Sequence, residues 1–188
     1  MSGSGKIFII TSAVFIVLIG LLFFQRFNQG SRESLESPPN INMKIESPSF
    51  QNNQPIPKKY ACDGEDINPP LVFKDLPPAA KSLVLIVDDP DAPRGTWVHW
   101  TLWNIGAQTK EIPENSVPEG AVQGITDFGR PGYGGPCPPL GTHHYFFKLY
   151  ALDTVLMISP QAKAGDLEKA IAGHILDQAE LVGLYSRE

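Results

Sequence analysis

Three stretches of the chain concentrate side chains that a hydrophobic core would not choose. The first is Asp88-Asp89-Pro90-Asp91-Ala92-Pro93, directly after the apolar run from Ser82 to Val87. Carboxylates spaced this closely repel, which raises at least one pKa unless donors lie nearby. The prolines fix φ and remove backbone donors, so the stretch reads as a stiff corner at a strand's end. It is either a solvated turn capped by Asp or a source of orienting carboxylates.

The second stretch is Trp97-Val98-His99-Trp100-Thr101-Leu102-Trp103. Strand alternation puts Trp97, His99, Thr101 and Trp103 on one face and Val98, Trp100 and Leu102 on the other. Neither face is polar, so His99 is expected to be buried, either satisfied by a carbonyl or carboxylate or held ready for a ligand. The third runs from Gly129 through Gly132-Tyr133-Gly134-Gly135-Pro136-Cys137-Pro138-Pro139 to His143-His144-Tyr145. Its glycines and prolines shape a long loop that can present backbone N–H groups, but no Gly-Lys-Ser/Thr follows to make a phosphate P-loop. Alternation then places His143, Tyr145 and Phe147 on one face, with His144 and Phe146 on the other. Imidazole N–H and phenol O–H groups meeting at strand ends suit an oxyanion, with an Asp orienting an imidazole and keeping it protonated.

These groups need a scaffold. Met43–Ser47 has the polar alternation of an edge strand, and Pro69–Phe73 is a second short strand candidate. Ser82–Val87 is a continuous β-branched run, as expected for a strand covered on both faces. Trp97–Ile105 and His143–Leu152 are the longest strand candidates, rich in aromatic and β-branched residues. Asp166–Val182 differs: Leu167, Ala170, Ile171, His174, Ile175, Gln178 and Leu181 recur at three- and four-residue steps. That spacing predicts a helix ending at Gly183, with His174 a structural residue on its apolar stripe. A mostly β domain, an antiparallel sandwich or Greek key with one C-terminal helix, follows from short strands and long Pro/Gly connections.

Composition agrees. The 188 residues include 18 Pro and 17 Gly, too many helix breakers for a helical bundle. Fifteen basic residues against 20 acidic ones give a net charge of −5, which disfavours nucleic acid as a partner. Two cysteines cannot form a four-Cys zinc site.

The N-terminal end stands apart. Residues Ile7 to Phe24 form an apolar run long enough, at ~1.5 Å per residue, to approach a bilayer's hydrocarbon thickness. It lacks a small-x-small cleavage site, so residues 1–27 are expected to be an uncleaved transmembrane anchor, with a removed signal segment as the alternative. The six residues before the run are few enough to stay cytoplasmic. That places the domain outside, membrane-anchored, or secreted if the segment is cleaved. Residues 28–42 read as a flexible linker, and 43–188 as the folded domain.

From Met43 to Ser186 the chain resembles the phosphatidylethanolamine-binding protein family, in its bacterial and archaeal Raf-kinase-inhibitor-like branch. The resemblance rests on Asp89-Pro90-Asp91-Ala92-Pro93, Trp97-Val98-His99-Trp100, Gly132 to Pro139 and His143-His144-Tyr145, in that order. It also includes Tyr60-Ala61-Cys62-Asp63-Gly64 and Gly173-His174-Ile175-Leu176. It implies two antiparallel sheets with a small anion-binding cavity at one end, its ligand residues falling on Asp89, Asp91, His99, Pro138, His143 and Tyr145. It further implies a non-enzymatic binder of a phosphate-like anion or phospholipid headgroup, without a cofactor, that modulates a kinase or peptidase partner. The family commonly carries Arg where this chain has His144, which alternation points away from the cavity. A cis bond at Ala92-Pro93 is also expected. Cys62 and Cys137 are either a disulfide, favoured if the domain is extracytoplasmic, or two buried thiols.

Two other classes compete. Asp89, His99 and His143 could form the two-His-one-carboxylate face of a metal-dependent enzyme, although they come from separate segments. For a Ser, Thr or Cys hydrolase the sequence offers no Gly-x-Ser-x-Gly elbow, and Cys137 lies between prolines without an evident adjacent base.

Overall fold

The computed structural model describes residues 42–187. The expected membrane segment at 1–27, and all of the linker except Asn42, lie outside them. Among the described residues no helix is long and apolar enough to cross a membrane.

In chain order the elements are β1 (Lys44–Glu46), β2 (Gln54–Pro55), a 3-10 turn (Lys58–Tyr60), β3 (Leu71–Lys74), β4 (Ser82–Asp89) and β5 (Trp97–Gly106). There follow β6 (Glu111–Ile112), β7 (Val122–Gln123), β8 (His143–Leu152), α1 (Ala164–Ile171) and β9 (Ile175–Tyr185). A three-stranded sheet has the order β1-β3-β6, and a six-stranded sheet the order β2-β9-β8-β4-β5-β7. Every pairing between these strands is antiparallel except the two-residue contact of β2 with β9, which makes the larger sheet mixed rather than purely antiparallel.

β4 explains why its sequence is apolar without interruption. It is flanked by β5 and β8, and all eight of its residues are buried. Leu83, Leu85 and Val87 enter the core between the sheets, with Ile45, Leu71, Phe73 and Ile112 of the smaller sheet. Val84 and Ile86 enter a second cluster with Trp103, Leu156, Leu167 and Ile171 on the opposite face. Both faces of the strand are therefore dry, and each fully buried aliphatic side chain stabilises by about 1.5–3 kcal/mol.

The mostly β architecture matches expectation, with one short α-helix among the described residues, but the C-terminal segment does not. α1 ends at Ile171, and Gly173 takes a left-handed φ of 82°. Ile175 to Tyr185 is then an eleven-residue strand paired with β8 along its length. A helix there would have left one edge of the central strand β8 without hydrogen-bond partners, and a buried unpaired backbone outweighs modest helix propensity. His174 accordingly lies in the exposed turn between α1 and β9, its Nδ1 2.8 Å from Asp153 Oδ1, rather than on an apolar stripe.

Two further expectations are corrected. No described peptide bond is cis, so Ala92-Pro93 is trans. The even alternation along β5 also breaks. Val87 pairs with Trp100 and Asp88 with Val98, leaving His99 as the extra residue of a β-bulge. A bulge turns neighbouring side chains towards one side. His99 therefore meets Tyr145 of the inter-sheet core, while Trp103 packs on the other face with Val84 and Ile86.

Candidate functional site

Antiparallel topology brings the polar groups together. The C-terminal end of β4 lies between the N-terminal ends of β5 and β8, so Asp89 sits between His99 and His143. Alternation separates the adjacent carboxylates. Asp88 turns to the other face, where its Oδ2 lies 2.6 Å from Lys148 Nζ. Burial raises the Asp88 pKa, and the Lys148 ammonium opposes that rise. Asp89 turns inward and is 3% exposed. Its Oδ2 accepts from His143 Nδ1 at 2.7 Å, and its Oδ1 accepts from the Asp91 N–H at 2.9 Å.

Both imidazoles are fixed at Nδ1. His99 Nδ1 is 2.7 Å from the Gly134 carbonyl, and the Gly134 N–H donates back to the His99 carbonyl at 3.0 Å. A carbonyl only accepts, so His99 Nδ1 carries the proton; a carboxylate demands the same of His143. Each ring is left with Nε2 to offer a ligand. Burial pushes the His99 pKa down, outweighing the Gly134 carbonyl and the carboxylates, so the free ring is neutral near pH 7.

Tyr145 supports the His99 ring edge-on, with centroids 5.2 Å apart. Its buried hydroxyl has no hydrogen-bond partner among the described residues. The Asp89 carboxylate and the Cys137 N–H lie near it without reaching hydrogen-bond geometry. Burial, then the Asp89 charge, raises the phenol's pKa far enough to keep it a donor. A buried hydroxyl lacking a partner costs about 1–3 kcal/mol unless something else satisfies it.

A cavity of about 290 Å³ opens over these groups, lined by Asp89, Ala92, Pro93, Trp97, His99, Phe128, Cys137, Pro139 and His143. That is close to the small end of the usual ~300–1,000 Å³ range for ligand pockets. Of the residues expected at the site, Asp89, His99 and His143 line the cavity and Tyr145 packs behind His99. Asp91 does not line it: its Oδ2 accepts from the His144 N–H and Nδ1 at 2.9 and 2.7 Å, outside the wall. Hydrogen bonding to His144 holds the Asp91 pKa below the usual carboxylate value. Pro138 is likewise outside, its carbonyl accepting from Arg187 Nε at 2.8 Å, while its neighbours Cys137 and Pro139 form the wall.

The sequence reading missed Phe128. Its ring stands edge-on to Trp97 and His99, at 5.5 and 5.4 Å between centroids. A Cβ on Gly134 would come within 2.4 Å of it, so that glycine makes room for the aromatic wall. Cys62 and Cys137 are joined by a disulfide that ties the loop wall to the segment after the 3-10 turn.

Among the described residues no group of three or more His, Cys, Asp or Glu side chains converges as a metal site. Asp89 and His143 point their donor and acceptor at each other instead, so the metal-enzyme alternative is not favoured.

Residues 46–186 match the sequence profile of the phosphatidylethanolamine-binding protein family. The chain belongs to that family. A UPF0098 protein of Pyrococcus horikoshii is 54% identical over 157 residues, covering 79% of this chain and 78% of its own. A UPF0098 protein of Aquifex aeolicus is 51% identical over 153 residues, covering 78% of this chain and 90% of its own. Among solved structures, a phosphatidylethanolamine-binding protein homologue from Chlamydia trachomatis superposes with a TM-score of 0.76 at 43% identity, covering 79% of this chain and 99% of that one. Escherichia coli YbcL, described as a new member of the mammalian phosphatidylethanolamine-binding protein family, gives 0.74 at 30% identity, covering 78% and 99%. The family match runs from the last residue of β1 through β9.

Proposed function

We propose that this phosphatidylethanolamine-binding protein family member is a non-enzymatic binder of a small oxyanion, free phosphate or the phosphate of a lipid headgroup, held between His99 and His143. The observation carrying this reading is that both rings are locked at Nδ1 and line one cavity, which leaves Nε2 of each for a ligand, with the buried Tyr145 phenol packed edge-on behind His99. Asp89 orients His143 through Nδ1, which leaves Nε2 for the anion. The Cys137 sulfur is held in the disulfide, and in this reading the two imidazoles act as donors rather than proton shuttles.

An anion at His99 Nε2 requires that nitrogen to gain a proton, because Nδ1 already holds one. Binding is therefore coupled to proton uptake, and affinity rises as pH falls through the free-ring pKa. Calorimetric titration of phosphate and phosphoethanolamine into the full chain, and into His99→Ala and His143→Ala variants, tests the reading. Loss of binding in both variants supports it; unchanged affinity in both refutes it. Preference for phosphoethanolamine over phosphate would select the headgroup as ligand. Modulation of a kinase or peptidase through the same cavity, and anchorage by the apolar N-terminal run with the domain outside the cytoplasm, complete the proposal. Membrane fractionation with protease accessibility checks the anchorage.

A further inference from the structure

The segment that walls the cavity, residues 127–142, contains no helix or strand, and the stretch around Cys62 is irregular beyond the 3-10 turn that ends at Tyr60. What joins these two irregular pieces is a short set of links. The Tyr133 hydroxyl donates to the Tyr60 carbonyl at 3.1 Å, the Cys62 N–H to the Pro136 carbonyl at 3.1 Å, and the Gly135 N–H to Asp66 Oδ1 at 2.6 Å. The Cys62–Cys137 disulfide is their one covalent bond, and it closes 75 residues of sequence. Cys137 itself lines the cavity, three residues beyond the Gly134 carbonyl that sets the His99 tautomer. Neither cysteine is fully buried, and Cys137 is part of the cavity lining.

We infer that the Cys62–Cys137 disulfide is a redox latch on the anion cavity: a dithiol that reduces it loosens the loop wall and weakens anion binding. The inference rests on the anion-binding reading of the cavity. Chemically, a thiolate of the dithiol attacks Cys137 Sγ, forming a mixed disulfide and releasing Cys62 as a thiolate that takes up a proton. The second thiol of the same reductant then attacks its own sulfur in the mixed disulfide and frees Cys137. Two electrons pass to the protein, both cysteines end as thiols, and the reductant ends as a cyclic disulfide.

The bond stands where its loss matters to the site. Without it the wall is held to the Cys62 segment by three hydrogen bonds and the 3.9 Å Arg130–Asp66 ion pair, and fluctuations of Gly134 release the His99 ring from its Nδ1 acceptor. Binding and reduction are then reciprocally linked, so a bound anion resists reduction by the same factor that reduction weakens the anion.

Inorganic phosphate is titrated by calorimetry into the full-length chain, oxidised and after dithiothreitol treatment, and into a Cys62→Ser/Cys137→Ser double variant with and without dithiothreitol. Thiol counting by mass spectrometry verifies each redox state, and amide hydrogen exchange follows residues 129–142. The expected result is about tenfold weaker phosphate binding on reduction, faster exchange in that segment, and no effect of reductant on the double variant. Saturating phosphate is expected to raise the dithiol concentration needed for half-reduction by the same factor. Unchanged affinity in protein shown to be reduced overturns the latch and leaves the bond a structural staple. If the oxidised protein binds no phosphate, the anion reading fails, and hydrogen exchange judges the latch alone: unchanged protection of 129–142 overturns it. The oxidised and reduced native chains suffice for this comparison should the double variant not fold.

Discussion

Gly134 offers a test of how the cavity wall is built. Replacing it by Ala adds one methyl group whose carbon would lie 2.4 Å from Phe128 Cε2, 2.7 Å from Cδ2 and 2.9 Å from Cζ. Ordinary carbon contacts begin near 3.5 Å, so the ring must retreat by roughly 1 Å. Gly134 does not occupy the left-handed region, so the backbone accepts Ala and the cost falls on the ring. Phe128 is 39% exposed and can swing outward, which limits strain but breaks its edge-on contacts with Trp97 and His99. Each such contact contributes about 0.5–1.5 kcal/mol, giving an expected loss of about 1–3 kcal/mol. At roughly 2–4 °C per kcal/mol for a domain of this size, Tm should fall by about 2–12 °C. Thermal unfolding of Gly134→Ala, Phe128→Ala and the double variant forms a cycle that isolates the clash. With the ring absent, the Gly134 substitution should cost less than about 0.5 kcal/mol. An equal penalty in both backgrounds refutes the steric argument and places the effect in the Gly134–His99 backbone pairing instead.

Other substitutions probe the site from different sides. Tyr145→Phe removes a buried hydroxyl without a partner, so the free protein should be as stable or more stable while phosphate affinity falls about five- to tenfold; titration and thermal melts of the same sample check both. Burial lowers the His99 pKa, so below the ordinary value of about 6.5 the unfolded chain binds a proton that the folded chain refuses. Stability is therefore full above that pH and is lost as pH falls towards the folded-state pKa; His99→Gln should flatten this part of a Tm–pH profile. Asp88 has the opposite sign, because its raised pKa means stability is lost as pH rises through that value. Lys148→Met strips Asp88 of its 2.6 Å partner and should cost about 3–5 kcal/mol near neutral pH, recovered in part in acid, as denaturant melts at two pH values would show.

Much of this architecture is legible in residue order because certain strands admit few alternatives. β4 is apolar on both faces, and β8 alternates so regularly that His143 and Tyr145 point inward while His144 points out. The same period, applied one step earlier, separates Asp88 from Asp89. Other features are set by neighbours. Gln178, Ala179 and Glu180 favour a helix locally, yet pairing with β8 makes them strand. No glycine or proline marks the bulge that turns His99 towards Tyr145. Phe128, Cys137 and Pro139 reach the cavity from a segment without periodicity, where side-chain direction leaves no pattern to read. Asp91 and Pro138 stand beside true wall residues in sequence, but His144 and Arg187 engage them elsewhere.

The most direct measurement is a crystal structure of the oxidised protein soaked with phosphate at near-neutral pH. The account predicts one phosphate in the cavity, its oxygens about 2.7–3.2 Å from Nε2 of both His99 and His143. Phosphate bound elsewhere, or a cavity holding only solvent at concentrations that saturate binding in solution, would contradict it.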